Sequence, residues 1–153
     1  MAAEPEILRA RTLADGTSIV ESDRGAVTLS RLAPGFVLFA CRGVLSGKFY
    51  DPMVAVAQRE LDAHGKLTMF VDGWDLKSVD TAFREHWTEW FKPNRDRFAM
   101  RLLVRTKLME MAASLANLLT GLAVIKTYSS VTAWEATCAA DFPAFRKGRA
   151  AVG

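Results

Sequence analysis

The sequence predicts an α/β fold with a mixed, mostly parallel sheet, an N-terminal antiparallel hairpin and about four helices. Three observations lead to this prediction. Two short apolar segments, Phe36–Cys41 and Leu67–Val71, have the hydrophobicity of strands buried on both faces. After the first of them, strand-like segments alternate with segments of helical periodicity, as parallel strand–helix–strand crossovers require. Before it, two alternating segments flank Arg24 and Gly25, a plausible tight turn.

Length and composition fit one domain. The chain has 153 residues, of which 50% are hydrophobic, enough for one substantial core over residues 17–141. Because 20 Lys and Arg face 17 Asp and Glu, the net charge is only +3, and no nucleic-acid-reading motif is present. Cys41 and Cys138 have no second ligand at metal-binding spacing, which favours free thiols in a reducing cytoplasm. We expect a cytoplasmic protein without a signal peptide or a membrane-spanning segment.

The N-terminal elements follow from turn residues and alternation. Residues 1–16 show no sustained periodicity and predict a flexible arm. Strands are predicted over Ser18–Asp23 and Ala26–Leu32, and Pro34 with Gly35 ends the second of them.

A first helix is predicted to begin at Asp51 and Pro52. Aspartate is a good N-cap, and proline suits the first helical position. His64 and Gly65 give this helix a typical C-terminal end. Between the two ends, apolar residues recur at helical spacing, namely Met53, Val56, Ala57 and Leu61.

The central segment runs from the strand Leu67–Val71 into a second helix. Asp72 and Gly73 predict a turn, and Asp80 is placed to cap a helix that begins at Thr81. The residues between strand and helix exceed what a crossover needs, and spare length at this edge of a sheet usually serves recognition. The helix carries one aromatic stripe that predicts core packing, formed by Phe83, Trp87, Trp90 and Phe91.

The remaining elements complete the alternation. Pro93 and Asn94 stop the second helix. The later elements are the strand Phe98–Val104, the helix Lys107–Leu119, the strand Leu122–Tyr128 and the helix Val131–Ala140, capped by Ser130 or by the Thr132 and Glu135 pair. Residues 142–153 predict a basic, frayed tail. The helix Lys107–Leu119 is apolar almost all round, so it needs a cover, which is the domain itself, a second copy in a homodimer or a lipid chain.

From about Ser18 to Ala140 the chain resembles a STAS domain, the fold of anti-sigma-factor antagonists, in its SpoIIAA-like branch. The resemblance is carried by FVLFACRGVLSGKFYDPMVAVAQREL, by LTMFVDGW and by the capped helix after Asp80. It implies a non-enzymatic regulatory module that binds a signalling protein, such as an anti-sigma-type kinase. SpoIIAA-like domains also resemble lipid-transfer folds, so a carrier of a lipid or other small ligand is the alternative.

The chain departs from the classical antagonists where their helix begins with Asp-Ser-Ser-Gly and the second serine is phosphorylated. Here the segment reads Asp80, Thr81, Ala82 and Phe83, so the matching position has no hydroxyl. Ser78 and Thr81 remain as acceptors, and neither is in the expected register. Ser78 and Asp80 are also explained as ordinary capping residues.

The predicted partner-binding residues surround this turn and the start of the helix. They are Trp74, Asp75, Lys77, Ser78, Asp80, Thr81 and Arg84. Trp74 has two interpretations, a contact residue in a surface loop or a lid on its own aromatic helix. Strand alternation places Arg101 and Arg105 on one face, either as a solvated edge or as contacts for an acidic protein or an anionic lipid headgroup.

No motif for catalysis, a cofactor or a metal stands out. His64 at a helix end complements exposed carbonyls, and His86 falls on the polar side of its helix. No zinc-protease motif, nucleophile elbow or phosphate-binding glycine loop occurs. Asp72, Asp75 and Asp80 could bind a divalent cation, but turn aspartates usually bond their own backbone. We therefore expect no enzyme activity, no cofactor and no metal.

Overall fold

One mixed sheet organises the protein. The computed structural model describes residues 5–106 and 125–145, and within them seven strands lie side by side in chain order. The strands are β1 Arg9–Thr12, β2 Ser18–Glu21, β3 Gly25–Ala33, β4 Phe36–Leu45, β5 Leu67–Val79, β6 Phe98–Val104 and β7 Ile125–Tyr128. The helices of the described residues are α1 Tyr50–His64, α2 Thr81–Asn94 and α3 Val131–Asp141, with a 3-10 turn at Gly47–Phe49.

The direction of pairing changes at β4. Strands β1 to β4 pair antiparallel, and strands β4 to β7 pair parallel, with α1 between β4 and β5 and α2 between β5 and β6. The predicted α/β class and mixed sheet are confirmed. The predicted helix Lys107–Leu119, with the dimer contact inferred from it, lies outside the described residues, as do Leu122–Val124 and residues 146–153.

The N-terminal segment is more ordered than the sequence analysis expected. Where a flexible arm was predicted over residues 1–16, β1 pairs with β2, and the Glu6 carboxylate accepts hydrogen bonds from the hydroxyls of Ser22 and Ser46. All four residues of β1 are exposed, so this strand has no apolar alternation from which to predict it.

Helices α1 and α2 cover one face of the sheet. The aromatic stripe of α2 packs there as predicted, with Trp87, Trp90 and Phe91 each less than 10% exposed. Met69 and Val71 of β5 point into the same core, whereas Phe70 points to the opposite face, as strand alternation requires.

Helix α3 covers part of the opposite face. There Phe70 and Leu103 pack against Trp134 and Cys138 of the helix. Phe145 joins this second core and is only 7% exposed, so ordered packing continues past residue 141, where the tail was expected to begin.

The helix ends follow local capping, with one exception. Asp80 caps α2 and Ser130 caps α3, each accepting a hydrogen bond from a backbone N–H in the first turn, and Gly65 ends α1 with φ +76°. Asp51 does not cap α1, because the 3-10 turn runs directly into that helix and is itself capped by Ser46.

Candidate functional site

The segment predicted to be a recognition turn is a strand. β5 continues through Asp72 and Gly73 to Val79 and pairs with β4 to its end. An Asp-Gly pair usually marks a turn, but here it lies at a register shift within the β4–β5 pairing, where Asp72 Oδ1 accepts a hydrogen bond from the Trp74 N–H at 3.0 Å. A Cβ at position 73 would lie 2.7 Å from the Leu103 carbonyl oxygen, so Gly73 is required by close strand packing.

Two apolar side chains hold the second half of β5 in place. Leu76 and Val79 pack against the core beneath α1 and α2. Asp75 before them, and Lys77 and Ser78 between them, are exposed. The four predicted contact residues from Trp74 to Ser78 therefore project from a strand instead of a loop, which fixes the position of their backbone.

Trp74 lies on the opposite face from α2. It is half-buried and packs against the second core around Phe70 and Leu103, which excludes one of its two interpretations, the lid on its own aromatic helix. The Arg105 guanidinium lies 4.9 Å from the centre of the Trp74 ring. Arg105 also donates a hydrogen bond to Asp75 at 3.4 Å. These three predicted residues therefore form one stacked and charged group.

Basic side chains converge beside this group at the ends of β4, β5 and β6. They line an open groove of about 660 Å³, which we call the cationic groove. Its charged residues are Arg24, Arg42, Lys77 and Arg105, with the carboxylate of Asp75 among them. Arg42 and Asp75 are opposite each other in the β4–β5 register.

A second exposed surface joins β5 to α2. It consists of Lys77, Ser78, Asp80, Thr81 and Arg84, and we call it the β5–α2 surface. Asp80 Oδ1 accepts a hydrogen bond from the Phe83 N–H at 2.8 Å. Arg84 donates to the Val79 carbonyl at 3.1 Å and to the Thr81 hydroxyl at 3.2 Å. The first turn of the helix is thus tied to the strand before it.

Ala82, at the position that matches the phosphorylated serine of the antagonists, lies against the 3-10 turn. A Cβ built on Gly47 would be 2.8 Å from the Ala82 Cβ. The two small residues allow the turn and the start of α2 to approach closely.

Arg101 does not join Arg105 in one site. Its side chain is only 16% exposed and lies 2.9 Å from the Asp141 carboxylate at the end of α3. The indole N–H of Trp134 donates to the Arg101 carbonyl at 3.0 Å. Arg101 therefore fastens α3 to the sheet, and it is not among the residues that line the groove beside Arg105.

The two cysteines and the two histidines lie outside the groove and contact residues of the fold. Burial raises the pKa of Cys41 and of Cys138 to about 12, which keeps both thiols protonated. His64 lies 3.4 Å from the buried Glu60 carboxylate, and His86 stacks on Tyr50. Within residues 5–106 and 125–145, no three His, Cys, Asp or Glu side chains are arranged to hold a metal ion.

Sequence reasoning missed Arg24 and Arg42. Arg42 follows the apolar part of β4, and the carboxyl ends of neighbouring parallel strands meet at one edge of a sheet. The position of Arg42 near Asp75 could therefore have been predicted from the sequence. Arg24 had none, because only the antiparallel pairing of β3 with β4 brings the hairpin turn to this edge.

No helix in the described part of the chain is long and apolar enough to cross a membrane.

No family model matches the chain, and no curated protein matches it. A solved structure that is similar to it is that of an uncharacterized protein from the DUF3478 family with a SpoIIAA-like fold, from Shewanella loihica PV-4. The match has a TM-score of 0.52 and 13% identity, and covers 85% of this chain and 92% of the other. At this identity the likeness shows the fold alone. The fold is SpoIIAA-like, as predicted.

Proposed function

We propose, from the SpoIIAA-like fold, that this protein is a non-enzymatic regulatory module that binds a partner protein through the β5–α2 surface. The observation that carries the proposal is that five exposed polar side chains, Lys77 to Arg84, project from the end of one strand and the first turn of one helix. Rigid elements present such residues without a large entropic cost on binding.

The fixed first turn of α2 supports this assignment. Because Arg84 bonds both the Val79 carbonyl and the Thr81 hydroxyl, a partner meets one arrangement of strand and helix. Asp80 caps the helix by accepting a hydrogen bond from the Phe83 N–H. Other backbone N–H groups of the first turn are left to bond acceptors of a partner. With Ala82 at the matching position, we propose regulation by partner binding in place of serine phosphorylation.

The test is affinity capture with tagged protein from cells that naturally express the chain. Thr81→Arg places a long side chain on the β5–α2 surface and should abolish capture of a stoichiometric partner. The control is Thr132→Arg, because Thr132 is also exposed in the first turn of a helix but lies on α3. Equal capture by both variants would remove the β5–α2 surface from the proposal.

A second candidate function is transport or sensing of a small anionic ligand. The cationic groove favours it, since its volume of about 660 Å³ falls in the range of small-molecule sites. Native mass spectrometry of protein purified from its natural source separates the two functions. A bound small molecule or lipid favours the carrier, and a bound protein favours the regulatory module.

A further inference from the structure

The cationic groove is only partly neutralised by its own residues. Arg24 and Lys77 are exposed and form no ion pair with any residue in the two described ranges. Arg42 lies 3.6 Å from Glu21 with a side chain that is 65% exposed, and Arg105 lies 3.4 Å from Asp75 with one that is 55% exposed. Exposed pairs of this kind are weak, so both arginines can exchange their carboxylates for those of a ligand.

The backbone holds the basic residues in place. Gly43 has φ +72°, and a Cβ there would lie 2.4 Å from the Arg24 carbonyl oxygen. The same oxygen accepts a hydrogen bond from the Val44 N–H at 3.0 Å, which fastens the hairpin turn to β4. On the other side of the groove, Arg105 is held over Trp74. A site whose backbone is already positioned loses less entropy when a ligand binds, so the remaining entropic cost lies in ordering the exposed side chains.

The shape and charge pattern favour a polypeptide ligand. The groove is open to solvent and five of its eight lining residues are charged, whereas small-molecule sites are enclosed. Asp75 lies among the basic residues and would repel a continuous polyphosphate. A peptide avoids this repulsion, because it can place carboxylates on the arginines and a backbone N–H or a hydroxyl beside Asp75.

We propose that the cationic groove binds an acidic segment of the partner protein, with Arg24, Arg42, Lys77 and Arg105 contacting its carboxylates. This inference rests on the proposed interaction function and adds the chemistry of the partner. Complementary charge of this kind speeds association and selects among partners.

The test is a fluorescence anisotropy titration of the full chain with a fluorescein-labelled glutamate-rich peptide. Reversing two groove charges together, Arg24→Glu with Lys77→Glu, should weaken binding about tenfold. The control, Arg59→Glu with Lys66→Glu, makes the same change in net charge at exposed positions outside the groove and should alter affinity less than about twofold. Circular dichroism and thermal unfolding check that both variants fold.

Three results would overturn the inference. Equal weakening by both double variants would mean general attraction to a basic protein. Tighter, groove-dependent binding of a single-stranded oligonucleotide would assign the groove to nucleic acid. No peptide binding by the unaltered protein would also reject it, and the proposed function would still be decided separately by capture with Thr81→Arg.

Discussion

At the scale of single residues, side chains that local pattern marked as exposed are tied into the fold. Trp74 was expected in a loop, yet it packs against the second core and supports Arg105. Arg101 was expected on a solvated edge or as a contact for an anionic partner, yet it pairs with Asp141. In both cases the partner comes from a distant part of the chain, which local periodicity does not identify.

Trp74→Ala should lower the free energy of unfolding by about 2 kcal/mol, because it removes a half-buried aromatic side chain. Urea denaturation measures the change. Arg105→Ala is the control. We expect it to lower the free energy of unfolding by less than about 1 kcal/mol, since the stacked guanidinium is exposed. An unchanged stability for Trp74→Ala would mean that the ring contributes no core packing.

The surroundings of Glu60 predict that its ionisation makes a pH-dependent contribution to the stability of the protein. Its side chain is buried, receives a hydrogen bond from the Gly35 N–H at 3.0 Å and pairs with Arg31. Burial alone raises the pKa of Glu60, but the Gly35 bond, Arg31 and His64 together hold it below its ordinary value. A carboxyl with a lowered folded-state pKa stabilises the protein above its unfolded-state pKa, and this stabilisation is lost as pH falls through the folded-state value.

We therefore expect Glu60→Gln to lower the free energy of unfolding by about 2 kcal/mol near neutral pH. The difference from the unaltered protein should shrink as pH falls below about 4.3, the ordinary glutamate pKa. Urea denaturation over a pH series measures this, with the exposed Glu89→Gln as control. A difference that stays constant with pH would exclude Glu60 ionisation as its cause.

At the scale of elements, the sequence was most informative where the signal is local. Asp80 and Ser130 as caps and Gly65 as a helix end depend on neighbours a few residues away, and these predictions are confirmed. The end of β5 depends on its pairing with β4 over a separation of about 33 residues, estimated from the pair Arg42 and Asp75. The Asp-Gly signal was therefore overridden by sheet pairing.

Gly73→Ala tests this interpretation of β5. We expect the substitution to lower the free energy of unfolding by about 3 kcal/mol, because Gly73 lies against the Leu103 carbonyl and the added methyl group has no space. Gly65→Ala is the control, since Gly65 has φ +76° with nothing within 4 Å and should cost only about 1 kcal/mol. Equal losses would indicate that position 73 is not closely packed.

At the scale of the whole molecule, the alternation of strands and helices was enough to predict a mixed α/β sheet. The SpoIIAA-like fold was predicted from the resemblance carried by FVLFACRGVLSGKFYDPMVAVAQREL and LTMFVDGW. The cationic groove was not predictable to the same degree, because it combines the β2–β3 turn with the ends of β4, β5 and β6. Only the three-dimensional arrangement brings Arg24 to Asp75 and Arg105, two residues that were predicted for separate contacts.

Self-association remains a prediction from the apolar helix Lys107–Leu119, a segment outside the described residues. Sedimentation velocity at high micromolar concentration should show a dimer, because a helix that is apolar on most of its surface needs a cover. A monomer under these conditions would reject it. If the unaltered protein is a dimer, Leu115→Glu, in the middle of that segment, should shift it toward the monomer.

Hydrogen–deuterium exchange of the captured complex tests the central claim most directly. If the β5–α2 surface binds the partner, amides from Lys77 to Arg84 should exchange more slowly in the complex than in the free protein. Amides of Val131–Asp141, on the other face of the sheet, should exchange at the same rate in both. Slower exchange confined to Val131–Asp141 or to β1, with Lys77 to Arg84 unchanged, would contradict the account.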